Sequence, residues 1–298
     1  MNTTTPLFSG RVGFAVGTGR NGTHFLAEVL GNEPGVAASH ERNPLNETFH
    51  RYCQWYKLPV DHAGYLQTKE QEIRQDLAQH RFSFEASAHL SLSICQLYER
   101  FGAKFLLLTR SPERVINSYV VKGWYTEPFV QQNPRLALGY QQQELFHRFL
   151  GRIAPQGEKF EQWNKMTRIG KLAWYWSALH KAILEQFAHI PTSHWRVEKL
   201  ETFKYEQYIS ATQFLGIEAS LSASKYNAIV KRRPASFNEV PTIADWNQKE
   251  IAEFEAEVGH MASKLGYEYQ VDQLPIPPHK PISLLSRLKV ALKNRRQL

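Results

Sequence analysis

The stretch GRVGFAVGTGRNGTHFLAEVL, residues 10–30, decides the fold. Its first part, residues 10–16, is a short apolar run that is typical of a buried strand. A glycine-rich loop follows, and residues 23–30 have the apolar spacing of a helix, with Gly31 at a typical C′ position. A strand, a glycine loop and a helix in this order predict an anion site, because the loop N–H groups and the helix N-terminus point at one place.

The rest of the chain alternates between strand and helix patterns. Further strands are predicted at residues 35–39, 104–109 and 193–197, and residues 81–89 are predicted to form a strand and its exit loop. Helices are predicted at residues 90–101, from Pro112 onward, at 172–187 and at 258–265. This alternation predicts an α/β fold with three layers, α/β/α, around a mainly parallel central sheet of the P-loop NTPase-like kind.

The length and composition favour one large domain. The chain has 298 residues, of which 42% are hydrophobic, enough for a buried core. Since no internal repeat or long linker interrupts residues 1–270, we expect one domain there, with a polar insertion over the sheet at residues 131–162. Residues 271–298 are expected to form a Pro-rich linker and a basic amphipathic tail.

The charge and the cysteines limit the partners and the compartment. A formal charge of +8 and a pI near 9.4 favour anionic partners: nucleic acid, anionic lipid, a phosphorylated cofactor or an acidic substrate. Cys53 and Cys95 lie far apart and form no CxxC pair, which argues against a disulfide framework or a zinc site. The apolar stretch 12–16 is too short for a signal peptide, so we expect a cytoplasmic protein.

The glycine loop departs from the loop that binds nucleoside triphosphates. Gly17 and Gly22 have the spacing of the pattern GxxxxGK followed by Ser or Thr, but Thr23 stands where the lysine belongs. The cation lies inside the loop instead, at Arg20. Without that lysine and its adjacent magnesium-binding hydroxyl, γ-phosphate transfer lacks its usual electrostatic support, which disfavours a kinase.

Residues 19–26, GRNGTHFL, resemble the 5′-phosphosulfate loop of the sulfotransferases that use 3′-phosphoadenosine-5′-phosphosulfate (PAPS). The resemblance implies PAPS as the cosubstrate, 3′-phosphoadenosine-5′-phosphate as the product, and no metal. It implies that Arg20 stabilises the departing phosphate oxygen. The residues that it assigns to the phosphosulfate are Gly19, Arg20, Asn21, Gly22, Thr23 and His24. Asn21 and His24 replace the hydroxyl residues that are commoner in the family.

A second motif, LLLTRSPERVINSY at residues 106–119, resembles the family's 3′-phosphate motif, with Arg110 and Ser118 at its phosphate-binding positions. The residues support this reading independently. Arg110 follows a buried strand, and open α/β sheets bind ligands at that edge. Ser118 lies two helical turns after Ser111 and returns to the same helix face. We therefore expect a guanidinium and a hydroxyl to converge on one phosphate.

Weaker similarity extends the resemblance over residues 12–269. WRVEKL at 195–200, FLGI at 214–217, Trp246 and the Gly-Tyr pair at 266–267 resemble the family's later segments. The run KRRP lies where many members have a basic loop over the 3′-phosphate, which implies that Arg232 and Arg233 bind the nucleotide. A solvated charge run is an equal alternative for these two arginines.

In-line sulfuryl transfer also requires a base for the acceptor's proton. The second strand ends at His40 and Glu41; the resemblance implies a base here, since some members use a Glu near this position and others a His. We favour Glu41, and alternation along an extended segment predicts that only one of the two faces the cofactor. A pair between Glu41 and Arg42 is the alternative. Glu85 and Ser87 are candidates for the acceptor pocket.

Two other functions also fit the sequence. A kinase with a relocated lysine predicts magnesium-dependent turnover, and a non-catalytic module predicts nucleotide binding without transfer. Nucleic-acid binding explains only the charge and is not expected. The acceptor, with a hydroxyl or amine on a carbohydrate, lipid, peptide or small metabolite, is not specified. The tail at residues 282–298 is expected to pack on the domain or to be disordered; contact with an anionic membrane or an acidic acceptor is the alternative.

Overall fold

The computed structural model describes residues 6–126, 152–232 and 240–267. Within these ranges the strands form one five-stranded sheet in the order β2-β3-β1-β4-β5, and every neighbouring pair is parallel. The strands are β1 Val12–Val16, β2 Val36–His40, β3 Phe82–Ala86, β4 Lys104–Thr109 and β5 Trp195–Lys199.

Helices cover both faces of this sheet. Their bounds are α1 Thr23–Leu30, α2 Pro44–Tyr56, α3 His62–Gln79, α4 Ile94–Phe101, α5 Pro112–Val121, α6 Glu158–Asn164, α7 Arg168–Phe187, α8 Tyr205–Leu215, α9 Ala223–Lys231 and α10 Gln248–Lys264. Short 3₁₀ turns lie at Ala88–Leu92, Thr192–His194 and Ile243–Asp245. None of the helices in the described ranges is long and apolar enough to cross a membrane.

Alternation along the strands divides the core into two halves. On β1, Phe14 and Val16 pack with α4, α5, α7 and α10 on one face, whereas Ala15 packs with α1, α8 and α9 on the other. Leu107 and Leu108 of β4 are divided between the two faces in the same way. The predicted three-layer α/β/α fold with a parallel sheet is therefore confirmed.

The strand order locates the site. β1 lies in the middle of the sheet, between β3 and β4, and the chain passes from β1 to β2 on one side and later to β4 on the other. Ligands of open α/β sheets bind at the carboxyl ends of the strands where such connections diverge. The glycine loop leaves β1 at this point.

The structure also departs from the sequence-based expectations. Helices α2 and α3 were not predicted, because their apolar signal is weak; the buried residues of α3 are Tyr65, Lys69 and Ile73. Gly31 is right-handed, with φ −66°, and does not act as a left-handed C′ residue. Residues 131–151 of the predicted insertion, Arg233 and the tail at 271–298 lie outside the described residues.

Candidate active site

The loop between β1 and α1 depends on backbone conformations that favour glycine. Gly19 and Gly22 have φ of 83° and 102°. A Cβ at Gly19 would lie 2.5 Å from the Tyr119 hydroxyl, and one at Gly22 would lie 2.7 Å from the Leu200 side chain. Arg20 also has a positive φ, 57°, a conformation that costs a non-glycine residue about 1–2 kcal/mol. Strain of this kind is tolerated where it holds a functional side chain in place.

Buried side chains hold this loop from beneath. The Thr18 carbonyl accepts hydrogen bonds from the hydroxyls of Tyr119 and Tyr175, the latter at 3.2 Å. Asn21 is fully buried, and its Nδ2 donates to the carbonyl of Leu108 at 2.5 Å. The amide of Asn21 therefore ties the loop to the end of β4 and does not face the surface where the resemblance would place a ligand.

The helix that follows the loop offers an anion site. Gly22 is the N-cap of α1 and supplies no side-chain cap to the N–H groups of the first turn. Unsatisfied N–H groups at a helix N-terminus carry partial positive charge, which attracts anions. Arg20 lies two residues before this N-cap and adds a full charge at the same end.

The two phosphate motifs meet in space. Arg20 Nε donates to Ser118 Oγ at 2.8 Å, and Arg110 Nη1 donates to the Arg20 carbonyl oxygen at 3.1 Å. These contacts join residues that are 98 and 90 positions apart in the chain. The guanidinium and hydroxyl groups of both motifs are thus brought together at the carboxyl edge of β1 and β4.

The electrostatics of this edge favour an anion. Burial lowers the pKa of Arg110, and the like charges of Arg114 and Arg20 lower it further, while Glu201 acts in the opposite direction. An anion that binds beside Arg110 offsets the repulsion that Arg114 and Arg20 exert on it. Glu201 accepts the backbone N–H of Ser111 at 2.9 Å and so occupies the N-terminus of α5.

The candidate bases lie against the same loop. His40 Nε2 is 3.1 Å from Thr23 Oγ1, and Glu41 Oε1 is 3.8 Å from His40 Nε2. The regular alternation of the strand ends at His40, because Glu41 has a φ of 47°. The expectation that only one of the two side chains faces the cofactor stays a prediction.

The pKa of each candidate base lies below its ordinary value. Burial lowers the pKa of His40, although the Glu41 charge opposes this shift. Burial acts to raise the pKa of Glu41, but the hydrogen bond and charge of His89 outweigh it, so this pKa lies below the usual range. At neutral pH the carboxylate of Glu41 is ionised and able to accept a proton.

His89 is a candidate that the sequence reasoning missed. Its Nε2 lies 3.6 Å from Glu41 Oε1, on the 3₁₀ turn that follows β3. The signal was available in principle: β3 lies between β2 and β1, so its exit loop must reach the carboxyl edge beside both of their loops.

Glu85 and Ser87 do not line an open pocket, contrary to expectation. Both are buried: Glu85 contacts the Lys69 ammonium at 2.9 Å, and Ser87 donates to a carboxylate oxygen of Glu47 at 2.8 Å. Arg42 does not take Glu41 as its hydrogen-bond partner; its Nη2 donates to Asp76 at 2.7 Å.

Comparison with known proteins adds a likeness of fold. No protein-family model and no curated protein matches the sequence. Similar solved structures include a sulfotransferase domain from the curacin biosynthetic pathway, with 12% identity over 89% of this chain and 100% of the other and a TM-score of 0.48. A sulfotransferase from Alicyclobacillus acidocaldarius has 16% identity over 89% and 98%, with a TM-score of 0.45. The sulfotransferase domain of the Synechococcus PCC 7002 olefin synthase has 11% identity over 99% and 98%, with a TM-score of 0.44.

All three are sulfotransferases. With TM-scores below 0.5, these likenesses say nothing of the chemistry of this chain, which must follow from the contacts of the site.

The structure places the remaining residues of the sulfotransferase motifs as follows. The Thr23 hydroxyl is engaged with His40, and the exposed His24 ring lies 5.2 Å from the His40 ring. Arg232 is the C-cap residue of α9 and is exposed. Its role as a nucleotide ligand stays a prediction, as does that of Arg233, which lies outside the described residues.

Proposed function

We propose that this chain is a sulfotransferase that moves a sulfuryl group from PAPS to a hydroxyl or amine of an acceptor. The observation that carries the proposal is the contact of Arg20 with both Ser118 and Arg110. It supplies positive groups for the two ends of a nucleotide with a 5′-phosphosulfate and a 3′-phosphate.

The residues fit such a nucleotide. The α1 N-terminus and Arg20 suit the 5′-phosphosulfate, because Gly22 leaves the first-turn N–H groups without a side-chain cap. Arg110 and Ser118 suit the 3′-phosphate, since a guanidinium fork and a hydroxyl match its oxygens. The repulsion that Arg114 and Arg20 exert on Arg110 is relieved when these phosphate groups bind.

The chain's own groups can perform an in-line transfer. When bound, PAPS supplies a sulfuryl group that is activated by its bond to the 5′-phosphate. Glu41 takes the acceptor's proton as the new bond to sulfur forms, with His40 as the alternative base and His89 beside the carboxylate. As the bond between sulfur and the phosphate oxygen breaks, Arg20 and the α1 N-terminus stabilise the electron pair left on that oxygen.

A ligand-dependent melting experiment tests this proposal. Adenosine 3′,5′-bisphosphate at about 100 times its Kd should stabilise the folded chain by about 2.7 kcal/mol, or roughly 5 °C or more in Tm. Arg110→Ala should abolish most of this shift. The matched control is Arg74→Ala, which removes a surface arginine paired with Glu70 on α3 and should leave the shift unchanged. An unshifted Tm in the wild type would contradict the proposal.

The same titration separates two alternatives. If the chain is a kinase with a relocated lysine, ATP with magnesium protects better than the bisphosphate, and chelation of the metal abolishes the effect. If it is a non-catalytic module, Arg20→Ala weakens binding, but no acceptor incorporates labelled sulfate from PAPS. A sulfotransferase transfers labelled sulfate in the presence of a chelator, and carbohydrate, lipid, peptide and small-metabolite acceptors are then compared directly.

A further inference from the structure

A buried ionic cluster lies beneath the candidate bases. The side chain of Lys69, on α3, is only 2% exposed. Its Nζ contacts three carboxylates: Glu47 of α2 at 2.5 Å, Glu72 of α3 at 2.9 Å and Glu85 of β3 at 2.9 Å. We call the group Lys69, Glu47, Glu72 and Glu85 the Lys69 cluster. A buried ammonium is tolerated only when such partners surround it.

The two innermost carboxyls of the Lys69 cluster differ in protonation. Burial acts to raise the pKa of Glu47, but the Lys69 ammonium holds it below the usual range. Burial raises the pKa of Glu85, and the charge of Glu47 raises it further. Because the pair can then share a proton, the cluster does not hold two adjacent, fully charged carboxylates.

One arm of the cluster fixes the loop after β2. Glu85 Oε1 accepts the backbone N–H of Arg42 at 3.1 Å, and Glu47 Oε1 accepts that of Asn43 at 3.2 Å. Arg42 directly follows Glu41, which has a φ of 47° and whose carboxylate lies 3.8 Å from His40 Nε2. These two bonds therefore restrain the backbone that orients Glu41.

A second arm fixes the loop after β3. Glu47 Oε2 accepts the hydroxyl of Ser87 at 2.8 Å, and Ser87 Oγ in turn accepts the backbone N–H of His89 at 3.2 Å. A single carboxylate, Glu47, thus contacts both loops that bring Glu41 and His89 within 3.6 Å of each other.

We infer that Lys69 is a positioning residue, which acts through Glu47 and Glu85 to hold Glu41 and His89 together next to His40. Lys69 is buried among carboxylates, so this role is exerted through them and not by direct chemistry. The catalytic meaning of this role rests on the proposed function, but the clamp on the two loops can be measured without an acceptor.

The test uses the full chain with three variants. Lys69→Met removes the ammonium and keeps an unbranched apolar stem of similar length. Ser87→Ala removes only the hydroxyl between Glu47 and His89. Lys159→Met is the matched control, because it removes an ammonium that contacts Glu257 at 2.9 Å on α6 and α10. Amide hydrogen exchange and the ring signals of carbon-13-labelled histidines are recorded by NMR, with His40→Gln and His89→Gln for assignment.

In Lys69→Met, the amides of Arg42, Asn43 and His89 should exchange at least about tenfold faster, since exchange reports local opening. The pKa of His40 should rise towards its ordinary value, because the released loop exposes the ring to water; the groups that face it are Glu41, His24, His89 and Glu47. In Ser87→Ala the His89 ring signals should change while the His40 titration stays as in the wild type. Lys159→Met should change neither.

Two results would overturn the inference. The first is a folded Lys69→Met protein in which these amides and both rings behave as in the wild type. The second, which decides the matter if Lys69→Met does not fold, is a Ser87→Ala protein with unchanged His89 ring signals. Binding of adenosine 3′,5′-bisphosphate to the wild type is measured alongside; its absence contradicts the proposed function and leaves the result on the clamp intact.

Discussion

At the scale of single residues, the glycine loop combines a strained backbone with tight packing. Arg20 is held at a φ of 57° by bonds to Ser118 and Arg110, while Asn21 points inwards. A Cβ at Gly17 would lie 1.8 Å from Asn21 Nδ2, so the glycine makes room for this amide. Adjacent residues of the loop therefore have different roles: Arg20 supplies positive charge, and Asn21 holds the loop backbone in place.

The hydrogen bond from Asn21 to the Leu108 carbonyl predicts the effect of Asn21→Asp. The variant has the same size but cannot donate to the Leu108 carbonyl, and it leaves that buried acceptor without its amide donor. We expect a loss of about 1–3 kcal/mol in the free energy of unfolding, measured in urea, together with weaker binding of adenosine 3′,5′-bisphosphate. Unchanged stability and affinity would show that the amide contact does not hold the loop.

At the scale of elements, α2 and α3 form the side of the site that the sequence pattern did not predict. His50 of α2 and His62, the first residue of α3, lie with Nε2 and Nδ1 2.9 Å apart. Burial lowers the pKa of His50 to about 4, and the neighbouring His62 contributes to the shift. Burial favours the neutral form of the His50 ring, so its protonation costs free energy in the folded chain.

The pH dependence of stability follows from this contact. His50 has a lower pKa in the folded chain than the ordinary 6.5, so the unfolded chain binds the extra proton between these values. Its contribution is therefore complete above pH 6.5 and is lost as the pH falls towards 4, at most about 3 kcal/mol.

Urea unfolding from pH 7.5 to 4.5 measures this effect. The free energy of unfolding should fall with pH in the wild type and fall less steeply in His50→Gln. The exposed His189 serves as the control, and His189→Gln should leave the slope unchanged. Equal slopes in all three proteins would contradict the assignment of this pH dependence to His50.

At the scale of the whole molecule, one buried carboxylate joins distant segments on the α1 side of the sheet. Glu33, just after α1, accepts hydrogen bonds from the Ser220 N–H and hydroxyl at 2.7 Å each and from the Leu221 N–H at 3.0 Å. It also accepts the hydroxyl of Tyr208. These hydrogen bonds join residues up to 188 positions apart, at the end of α1 opposite the glycine loop.

Glu33→Gln should therefore lower stability without changing the site. The glutamine side chain keeps one acceptor oxygen, but its NH2 group places two donor hydrogens against the donor groups of Ser220 or Tyr208. We expect a loss of about 2–3 kcal/mol in the free energy of unfolding and an unchanged Kd for adenosine 3′,5′-bisphosphate. A weaker Kd in this variant would show that the two ends of α1 are coupled.

Local patterns in the sequence predicted much of the fold. Residues 23–30 and 104–109 coincide with α1 and β4, because apolar periodicity and flanking glycine or proline are properties of neighbouring residues. The cation within the glycine loop and the motif at Arg110 and Ser118 were likewise visible in the chain. The sequence by itself thus determined the α/β class and singled out the residues that we propose bind a doubly phosphorylated nucleotide.

Only the tertiary structure decided how these residues meet. The contact of Glu41 with His89, the inward turn of Asn21 and the burial of Lys69 among carboxylates depend on the strand order β2-β3-β1-β4-β5. That order arises from the packing of distant segments, and no periodicity within a segment encodes it. The left-handed turn at Glu41 also escaped prediction, because it is held by Glu85, which lies 43 positions from Arg42.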